Sequence, residues 1–193
     1  MKVYTRRGRE EALHVLVVVS GPPASGKTSL ARALARELGL PWIGKDAVKE
    51  TLYEELGSDE ELEPKLDQAA GRLLLTIAAQ QLASGLSAIV ESNFDRDVDS
   101  ALLKQLLREH PTRVVQIHCS SEEEQLLERF AERATSPERH PGHDDRPGKV
   151  GEVRDDLERG RWDALALPGE LVEVDLAERP DVAALAERVR SAV

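Results

Sequence analysis

The chain has 193 residues, a formal net charge of −10, and an aromatic content of 3%. This length suits a single domain with a substantial core, so we expect one domain over residues 1–193. The acidic total disfavours nucleic acid as a partner, although a local basic groove could still hold a strand end. The few aromatic side chains do not favour a row of base-stacking platforms.

Cellular location is indicated by the cysteine content and the first residues. The single cysteine, Cys119, excludes an internal disulfide and fits a reducing environment. Residues 1–13 are polar and carry three arginines, which is not the pattern of a signal peptide. The apolar run that follows is too short to span a bilayer. We therefore expect a cytoplasmic protein with no membrane partner.

The clearest pattern begins at the apolar run His14–Ser20, which is typical of a parallel strand buried on both faces. It leads into Gly21-Pro-Pro-Ala-Ser-Gly-Lys-Thr28, which fits the phosphate-binding pattern G-x-x-x-x-G-K-[ST] in full. A leucine then recurs every four residues over Leu30–Leu38, and this predicts a helix that Gly39 ends. A strand, a loop and a helix in this order are the context of a nucleoside triphosphate site.

In this setting, backbone N–H groups of the loop would point at phosphate oxygens beside the helix N-terminus. Lys27 would reach the β- and γ-phosphates, and the Thr28 hydroxyl would bind Mg²⁺. The predicted nucleotide-binding residues are Gly21, Pro22, Pro23, Ala24, Ser25, Gly26, Lys27, Thr28, Ser29 and, from a later helix, Arg129.

The rest of the chain alternates apolar strands with amphipathic helices, which predicts a parallel sheet between two helix layers. Further strands are predicted at 41–44, 87–90, 113–118 and 170–175. Helices are predicted from apolar faces at Val48, Leu52 and Leu56, at Ala70, Leu74, Ala78 and Leu82, at Val98, Leu102 and Leu106, and at Val182, Leu185 and Val189. A capping box of Ser121 and Glu124 predicts another helix, which runs to about Arg133.

Residues 134–149 interrupt this alternation. They include three prolines, two glycines and two histidines, which favours a mobile loop over a core element. His140, His143 and Asp144 suggest a metal site, but no second ligand cluster accompanies them in the sequence, so zinc is not expected. The sequence does not say whether His140 and His143 contact a substrate.

Three side chains fall at carboxyl ends of predicted strands, where open α/β sheets bind ligands: Asp46, Glu91 and Asn93. Asp46 and Lys49 share a helix face, so one could accept a proton and the other could anchor a substrate anion. Alternatively, Asp46 caps the helix and Lys49 is a solvated charge. Glu91 could hold Mg²⁺ through water or position an acceptor. Asn93 could contact the acceptor or, like Asp95, simply turn the chain.

Arg129 and Arg133 lie one helical turn apart, just before the loop. An arginine at this place could meet the charge that develops on a transferred phosphoryl group. Glu128 and Glu132 interleave with them, so an exposed face of ion pairs is the alternative.

Together these residues resemble the AAA-type group of small P-loop kinases that includes polynucleotide 5′-hydroxyl kinases, chloramphenicol phosphotransferase and zeta toxins. The resemblance covers residues 14–145 and is carried by Gly21–Thr28, Asp46-Ala-Val-Lys49, Glu91-Ser-Asn-Phe94 and Arg129-Phe-Ala-Glu-Arg-Ala134. It implies an α/β, three-layer P-loop NTPase kinase fold. The implied five-stranded parallel sheet has the order 2-3-1-4-5, with helices on both faces and a mobile lid over 134–149.

The resemblance also implies roles for individual residues. The aspartate after the second strand is the general base in these kinases and falls on Asp46, and the basic residue that binds the acceptor falls on Lys49. The lid arginine corresponds best to Arg133, with Arg129 second. Members that act on polynucleotide ends tend to carry arginine at the position of Lys49, and lysine lacks its bidentate fork.

The leading prediction is an ATP-dependent kinase that uses Mg²⁺ to transfer the γ-phosphoryl group to a hydroxyl of a small molecule. The predicted catalytic residues are Asp46, Lys27 and Arg133, the substrate-binding residues are Lys49, Glu91 and Asn93, and the Mg²⁺ ligands are Thr28 and, through water, Glu91. The alternatives are a polynucleotide or nucleoside 5′-hydroxyl kinase and a nucleotide-binding switch protein. A switch needs no second substrate site, so the Asp46 and Lys49 pair favours a kinase. The acceptor, the choice between ATP and GTP, and the oligomeric state stay open.

Overall fold

The structure is a computed structural model that describes residues 14–57, 59, 61–143 and 145–192. The predictions made for residues 1–13 and for Asp144 lie outside the described residues. The strands are β1 (Val15–Ser20), β2 (Trp42–Gly44), β3 (Ala88–Glu91), β4 (Arg113–Ser120) and β5 (Glu170–Asp175). The helices are α1 (Lys27–Leu38), α2 (Lys45–Leu56), α3 (Glu63–Ala83), α4 (Arg96–Glu109), α5 (Glu123–Thr135), α6 (Val150–Glu158) and α7 (Val182–Ser191), with a 3₁₀ turn at Pro147–Lys149.

The five strands form one sheet in which every neighbouring pair is parallel, in the order β2-β3-β1-β4-β5. This confirms the order implied by the resemblance. It also places β1 at the centre of the sheet, where its carboxyl end is flanked by the ends of β3 and β4. The loop that follows β1 therefore begins in the middle of the sheet edge.

The core has two layers because successive side chains of β1 point to opposite faces of the sheet. Val15, Val17 and Val19 pack in a cluster with buried residues of α1 and α7. Leu16 and Val18 pack in a second cluster with buried residues of α3 and α4. The predicted fold of a sheet between two helix layers is confirmed.

Two predicted apolar helix faces are wrong. In α4, Val98 is 60% exposed and Leu102 is also exposed, whereas Leu103 and Leu106 are buried. The helix is rotated so that Ser100 also faces inward, where its hydroxyl accepts a hydrogen bond from the Ala166 N–H at 3.0 Å.

In α2, Leu56 is 61% exposed and the buried residue is Lys49. The reason is the position of α2, which packs on α3 beside the edge strand β2. A helix at this edge covers little of the apolar sheet, so a paired lysine fills the buried position instead of a leucine.

The predicted capping box is also wrong. The helix α5 begins at Glu123, and its N-cap residue, Glu122, makes no capping hydrogen bond through its side chain. The helix therefore starts one residue later than the box requires. The Ser121 hydroxyl instead bonds the Gln125 side-chain oxygen at 3.2 Å.

The irregular segment is shorter than the predicted loop over 134–149. The helix α5 runs to Thr135, and the 3₁₀ turn occupies the last three residues of the predicted range. Between them, the chain packs over the start of α2 through polar contacts. Arg139 lies 2.6 Å from Asp145, and His143 bonds Glu50 of α2 at 2.6 Å. That this segment moves during a reaction cycle stays a prediction. None of the helices in the described ranges is long and apolar enough to cross a membrane.

Candidate active site

The phosphate-binding loop connects the central strand to the N-terminus of α1. Three of its residues have positive φ angles, Gly21 at 140°, Ala24 at 61° and Gly26 at 89°. A Cβ atom on Gly21 would lie 2.2 Å from the Cys119 carbonyl oxygen, so only glycine fits where the loop leaves the sheet. The two glycines of the pattern are therefore explained by the local backbone, which has a positive φ angle at both positions.

Lys27 is buried within the loop, and its ammonium donates a hydrogen bond to the Pro22 carbonyl at 3.0 Å. Burial lowers the pKa of Lys27, while the nearby carboxylates of Glu91 and Asp46 act in the opposite direction. The buried Ser25 hydroxyl has no hydrogen-bond partner among the described residues. A positive group and an unsatisfied donor are what a bound phosphate chain would use.

Glu91, at the end of β3, is 2% exposed and accepts a hydrogen bond from the Thr28 hydroxyl at 3.1 Å. Burial raises its pKa, against the opposing effect of Lys27. Its second oxygen, Oε2, is buried without a hydrogen-bond partner among the described residues. A hydroxyl and a free carboxylate oxygen side by side fit Mg²⁺, which prefers oxygen ligands and retains water. This geometry supports the metal interpretation of Glu91 over contact with an acceptor.

A cavity of about 440 Å³ opens on one side of the loop. It is lined by Gly26 and Ser29 of the loop and α1, by Arg129 of α5, and by residues of the segment 176–182. The Arg129 guanidinium bonds the Gln125 side-chain oxygen at 3.2 Å. The sequence analysis did not identify the segment 176–182, whose only signal is its position directly after the last strand.

A second cavity, of about 220 Å³, lies on the other side and reaches the loop at Pro23. We call it the acceptor-side cavity. It brings together four of the predicted residues, Asp46, Lys49, Asn93 and Arg133. The sequence analysis missed other lining residues, among them Arg139, Trp162 and Arg161. They come from the loop and from the turn after α6, and no recognisable pattern marks them.

Asp46 lies in the first turn of α2, but its side chain makes no capping hydrogen bond, since Gly44 is the N-cap residue. Its Oδ2 atom is 3.8 Å from His143 Nδ1 and 4.0 Å from the Arg139 guanidinium. Within the described residues, its carboxylate makes no hydrogen bond. The structure therefore does not support the helix-cap alternative and leaves the carboxylate available to a ligand.

Lys49 is 6% exposed, so the alternative of a solvated charge is wrong. Its ammonium lies 2.7 Å from Glu63 and 3.4 Å from Asp67, both on α3. Burial would lower the pKa of Lys49, but these two carboxylates outweigh it and raise the pKa overall. The positive charge of Lys49 is therefore already balanced.

The Nε atom of Arg133 lies 2.9 Å from Asp145, which belongs to the segment 134–149. Burial lowers the pKa of Arg133, opposed by Asp145. Its terminal nitrogens make no hydrogen bond to a described residue, and it pairs with neither Glu128 nor Glu132. The alternative of an exposed row of ion pairs along the helix therefore does not describe Arg133.

Asn93 and Asp95 have different surroundings. The Asp95 carboxylate caps α4 by accepting hydrogen bonds from the N–H groups of Asp97 and Val98. Asn93 is half-buried on the wall of the acceptor-side cavity. Turning the chain is thus the structural role of Asp95, and Asn93 remains a candidate ligand contact.

The two histidines of the segment 134–149 lie against α2. One atom each of Glu50, His140 and His143 lies within 4.8 Å of the others, which is close enough to hold a metal ion. However, His140 Nδ1 accepts a hydrogen bond from the Gly142 N–H at 3.0 Å. In the neutral ring, Nε2 then carries the proton and cannot bind a metal. The hydrogen bond at His140 disfavours zinc here, and the expectation that no zinc binds stays a prediction.

A further cavity, of about 610 Å³, lies between α4 and residues 159–166, and half of its lining residues are basic. None of the residues 21–28 borders it. It therefore lacks the phosphate-binding backbone that the two cavities beside the loop share.

The fold and this site define the class of protein. A parallel sheet of order 2-3-1-4-5, a phosphate-binding loop after its central strand and a cavity on each side of that loop are the features of a P-loop kinase fold. The chain belongs to the AAA domain family that matches residues 16–145. The prediction of a small P-loop kinase relative is confirmed.

Individual relatives agree with this class. The crystal structure of a candidate kinase from Chloroflexus aurantiacus J-10-fl is 38% identical with a TM-score of 0.83, and the match covers 94% of this chain and 99% of that one. A cytidylate kinase from Methanothrix thermoacetophila is 29% identical over 138 residues, which are 65% of this chain and 77% of that protein. A cytidylate kinase from Ignicoccus hospitalis is 50% identical over 42 residues, which are 22% of this chain and 24% of that protein. The chain thus matches about a quarter of the length of this last relative.

Proposed function

We propose that the protein is an ATP-dependent kinase that transfers the γ-phosphoryl group to a hydroxyl of a small molecule. The observation that carries the proposal is the Asp46 carboxylate, which makes no hydrogen bond within the described residues and lines a second cavity beside the phosphate-binding loop. A nucleotide switch needs only the cavity that holds the nucleotide. A second cavity with a candidate base supports a second substrate.

The nucleotide would bind across the loop. Its phosphates would meet the loop N–H groups and the Lys27 ammonium, and its base and ribose would occupy the cavity between Arg129 and the segment 176–182. Thr28 and Glu91 would hold Mg²⁺, which when bound neutralises charge on the β- and γ-phosphates.

The acceptor would bind in the acceptor-side cavity with its hydroxyl against Asp46. As the hydroxyl oxygen bonds to the γ-phosphorus, its proton passes to the Asp46 carboxylate, and the bond from phosphorus to the β-phosphate oxygen breaks. ADP leaves with the electron pair of that bond, and the Lys27 ammonium balances its charge. The terminal nitrogens of Arg133, which are not engaged by described residues, would donate to the γ-phosphoryl oxygens during transfer.

The charge balance of the acceptor-side cavity supports a neutral acceptor. Lys49 is paired with two carboxylates of α3, and Arg133 and Arg139 share Asp145. An anionic acceptor would have to compete with these carboxylates for the basic side chains. A compound with several hydroxyl groups and no charge would not. The cavity is also small, at about 220 Å³, which fits a small molecule better than a polynucleotide end.

A second candidate acceptor is a nucleoside monophosphate, in which a phosphate takes the place of the hydroxyl. This candidate is favoured by the similarity to two cytidylate kinases. It would require the paired arginines of the cavity to exchange Asp145 for the acceptor phosphate.

The test is ATP consumption with and without a panel of acceptors, with mass spectrometry of the products. The panel should contain neutral polyols and sugars, sugar acids, nucleosides, cytidylate, and an oligonucleotide with a free 5′-hydroxyl. We expect a neutral hydroxyl compound to stimulate ATP consumption and to gain the mass of one phosphoryl group. Phosphorylation of cytidylate alone would replace the proposal with the second candidate. Slow hydrolysis that no acceptor stimulates would favour a switch protein.

The oligonucleotide arm has its own control, because binding to nucleic acid weakens steeply as salt rises through counterion release. We expect weak binding that hardly depends on salt. Phosphorylation of the oligonucleotide at micromolar KM, with a steep salt dependence, would instead establish a polynucleotide kinase.

A further inference from the structure

His143, in the segment 134–149, lies between two carboxylates of α2, and one of these belongs to the proposed general base, Asp46. His143 Nε2 lies 2.6 Å from Glu50 Oε1, and its Nδ1 lies 3.8 Å from Asp46 Oδ2. The imidazole is nearly enclosed, since its side chain is 5% exposed. Asp46 and Glu50 are four residues apart, so both carboxylates lie on the same face of α2 and the ring spans them.

The two distances differ in a way that assigns the proton on the ring. The 2.6 Å contact is a hydrogen bond, in which an N–H group at Nε2 donates to the Glu50 carboxylate. In the neutral ring, Nδ1 then carries a lone pair that faces the Asp46 carboxylate. Two acceptors without a proton between them do not approach to hydrogen-bonding distance, and 3.8 Å is longer than such a bond. His143 can therefore accept a proton at Nδ1 from Asp46 while it donates the proton at Nε2 to Glu50.

We propose that His143 relays the proton of the acceptor hydroxyl from Asp46 to Glu50 and from there to water. This proposal rests on the proposed function, because the proton enters the chain when Asp46 acts as the base. After transfer, Asp46 carries the proton on its carboxyl group. The O–H bond of Asp46 breaks as an N–H bond forms at His143 Nδ1, and the N–H bond at Nε2 breaks as an O–H bond forms on Glu50.

The last step of the chain goes to solvent. Glu50 is partly exposed and passes its proton to water, so one proton has moved from the hydroxyl to solvent and both carboxylates return to their starting charge. The ring ends with its proton on Nδ1 and returns to the starting tautomer by exchange with water. Such exchange needs the loop to open, which links the recovery of the base to the release of the product.

A relay is needed because the ligand covers the base. Asp46 is 41% exposed at its side chain in the absence of an acceptor, but it lies on the wall of the acceptor-side cavity. An acceptor that fills this cavity separates Asp46 from bulk water on that side. The enclosed ring then offers the path from Asp46 to the outer surface of α2.

Other charged groups also face the ring and bear on the pH dependence. The carboxylates from α2 are Asp46 and Glu50, and the loop itself contributes Arg139, His140 and Asp145. The His140 ring lies 6.0 Å from the His143 ring, and its Nε2 is 3.6 Å from Glu54, which turns it away from Asp46. His140 is therefore a matched control, since it lies in the same loop and contacts the same helix without reaching the base.

The first experiment compares His143→Ala with His140→Ala at saturating ATP and acceptor. We expect His143→Ala to lower kcat by less than the about 10²–10⁴-fold that loss of a general base costs, with little change in either KM. Added imidazole should restore part of the lost kcat in His143→Ala, and it should leave His140→Ala unchanged. Loss of kcat without rescue by imidazole, or equal losses in both variants, would overturn the relay.

The second experiment needs no turnover, so it separates failure of the relay from failure of the proposed function. Nitrogen-15 chemical shifts of the 193-residue protein without nucleotide report which ring nitrogen carries the proton. We expect the Nε2–H tautomer for neutral His143, and a smaller share of it in Glu50→Gln, whose amide oxygen is a weaker acceptor than a carboxylate. A predominant Nδ1–H tautomer in the unliganded protein would overturn the assignment. If the tautomer is as expected and no acceptor is ever phosphorylated, the proposed function fails and the relay fails with it.

Discussion

The two sides of the site are built in different ways. On the nucleotide side, one continuous segment, Gly21–Thr28, supplies the backbone, the buried lysine and the hydroxyl. On the acceptor side, the cavity wall is assembled from α2, α3, α5, α6 and the segment 134–149, and ion pairs join several of these elements. These pairs are largely buried, so a change that removed one partner would leave the other charge uncompensated. The phosphate site therefore depends on one local segment, whereas the acceptor site depends on ion pairs between separate elements.

The electrostatics of the two sides also differ. Burial lowers the pKa of Lys27 and raises that of Glu91, so each group is held in surroundings that disfavour its charge. On the acceptor side, Lys49 and Asp67 show the reverse, because carboxylates raise the pKa of Lys49 overall and two lysines lower that of Asp67 against the effect of burial. Arg133 resembles the nucleotide side, since burial lowers its pKa. Charged groups that are poorly compensated in the free protein are typical of ligand sites. The nucleotide side should therefore gain the most from its ligand.

The largest effect is expected from Lys27→Ala on the nucleotide side. Removing the ammonium should abolish phosphoryl transfer, because nothing else described in the loop carries a positive charge toward the phosphates. The fold should persist, since burial already disfavours the charged lysine. Activity and thermal unfolding of this variant should be compared with those of Lys65→Ala, which removes an exposed lysine of α3. Full activity in folded Lys27→Ala would show that the Lys27 ammonium on the nucleotide side is not needed for phosphoryl transfer.

A smaller but still large effect is expected from Asp46→Asn on the acceptor side. As a general base, Asp46 should contribute about 10²–10⁴-fold to kcat, with little effect on the affinity for ATP. Asp97→Asn is the matched control, because it changes an exposed aspartate in the first turn of α4. A lower melting temperature with normal turnover in Asp46→Asn would make Asp46 a structural residue of α2.

The two arginines of α5 lie on different sides of the site, so their variants test both sides within a single helix. Arg133 faces the acceptor-side cavity, so Arg133→Ala should lower kcat strongly, since its contact with the phosphoryl group forms during transfer. Arg129 lines the nucleotide cavity, so Arg129→Ala should instead raise KM for ATP by about 2- to 30-fold, the equivalent of the roughly 0.5–2 kcal/mol of a guanidinium on an aromatic base. Steady-state kinetics with each substrate varied in turn measure both. Equal and small losses would mean that neither arginine takes part in transfer.

The smallest effect is on stability and concerns Glu91→Gln. Burial raises the pKa of Glu91, so its charged form is disfavoured in the folded protein. For a raised pKa, the stability contribution is fully present below the ordinary value of 4.5 and is lost as pH rises through the folded-state value. Glutamine keeps the acceptor for the Thr28 hydroxyl without the charge, so the variant should unfold at a slightly higher temperature than the wild type at neutral pH.

Glu91→Gln should also lose activity that depends on Mg²⁺. The variant should therefore be more stable than the wild type and less active. The advantage in melting temperature should shrink as the pH is lowered towards 4.5, where the wild-type carboxyl is protonated. An advantage that does not change with pH would show that charge burial at Glu91 is not its source.

The sequence alone determined the phosphate-binding part of the nucleotide side, although not the segment 176–182 that lines the rest of it. The strand Val15–Ser20 and the loop after it depend on contacts near in sequence and on backbone angles that glycine permits, so a local pattern specifies them. The order of the strands was available only through resemblance, since it depends on pairings that residue spacing does not encode.

Only the tertiary structure decided the helix faces and the acceptor side. Val98 and Leu56 are as apolar as buried residues, yet α4 is rotated and α2 lies at the sheet edge, so both side chains face solvent. The contact of His143 with Glu50 joins residues that are 93 apart in the chain, and that of Lys49 with Glu63 joins two helices. No local periodicity records such polar contacts, because they form only when the packed sheet has brought the helices and the loop together.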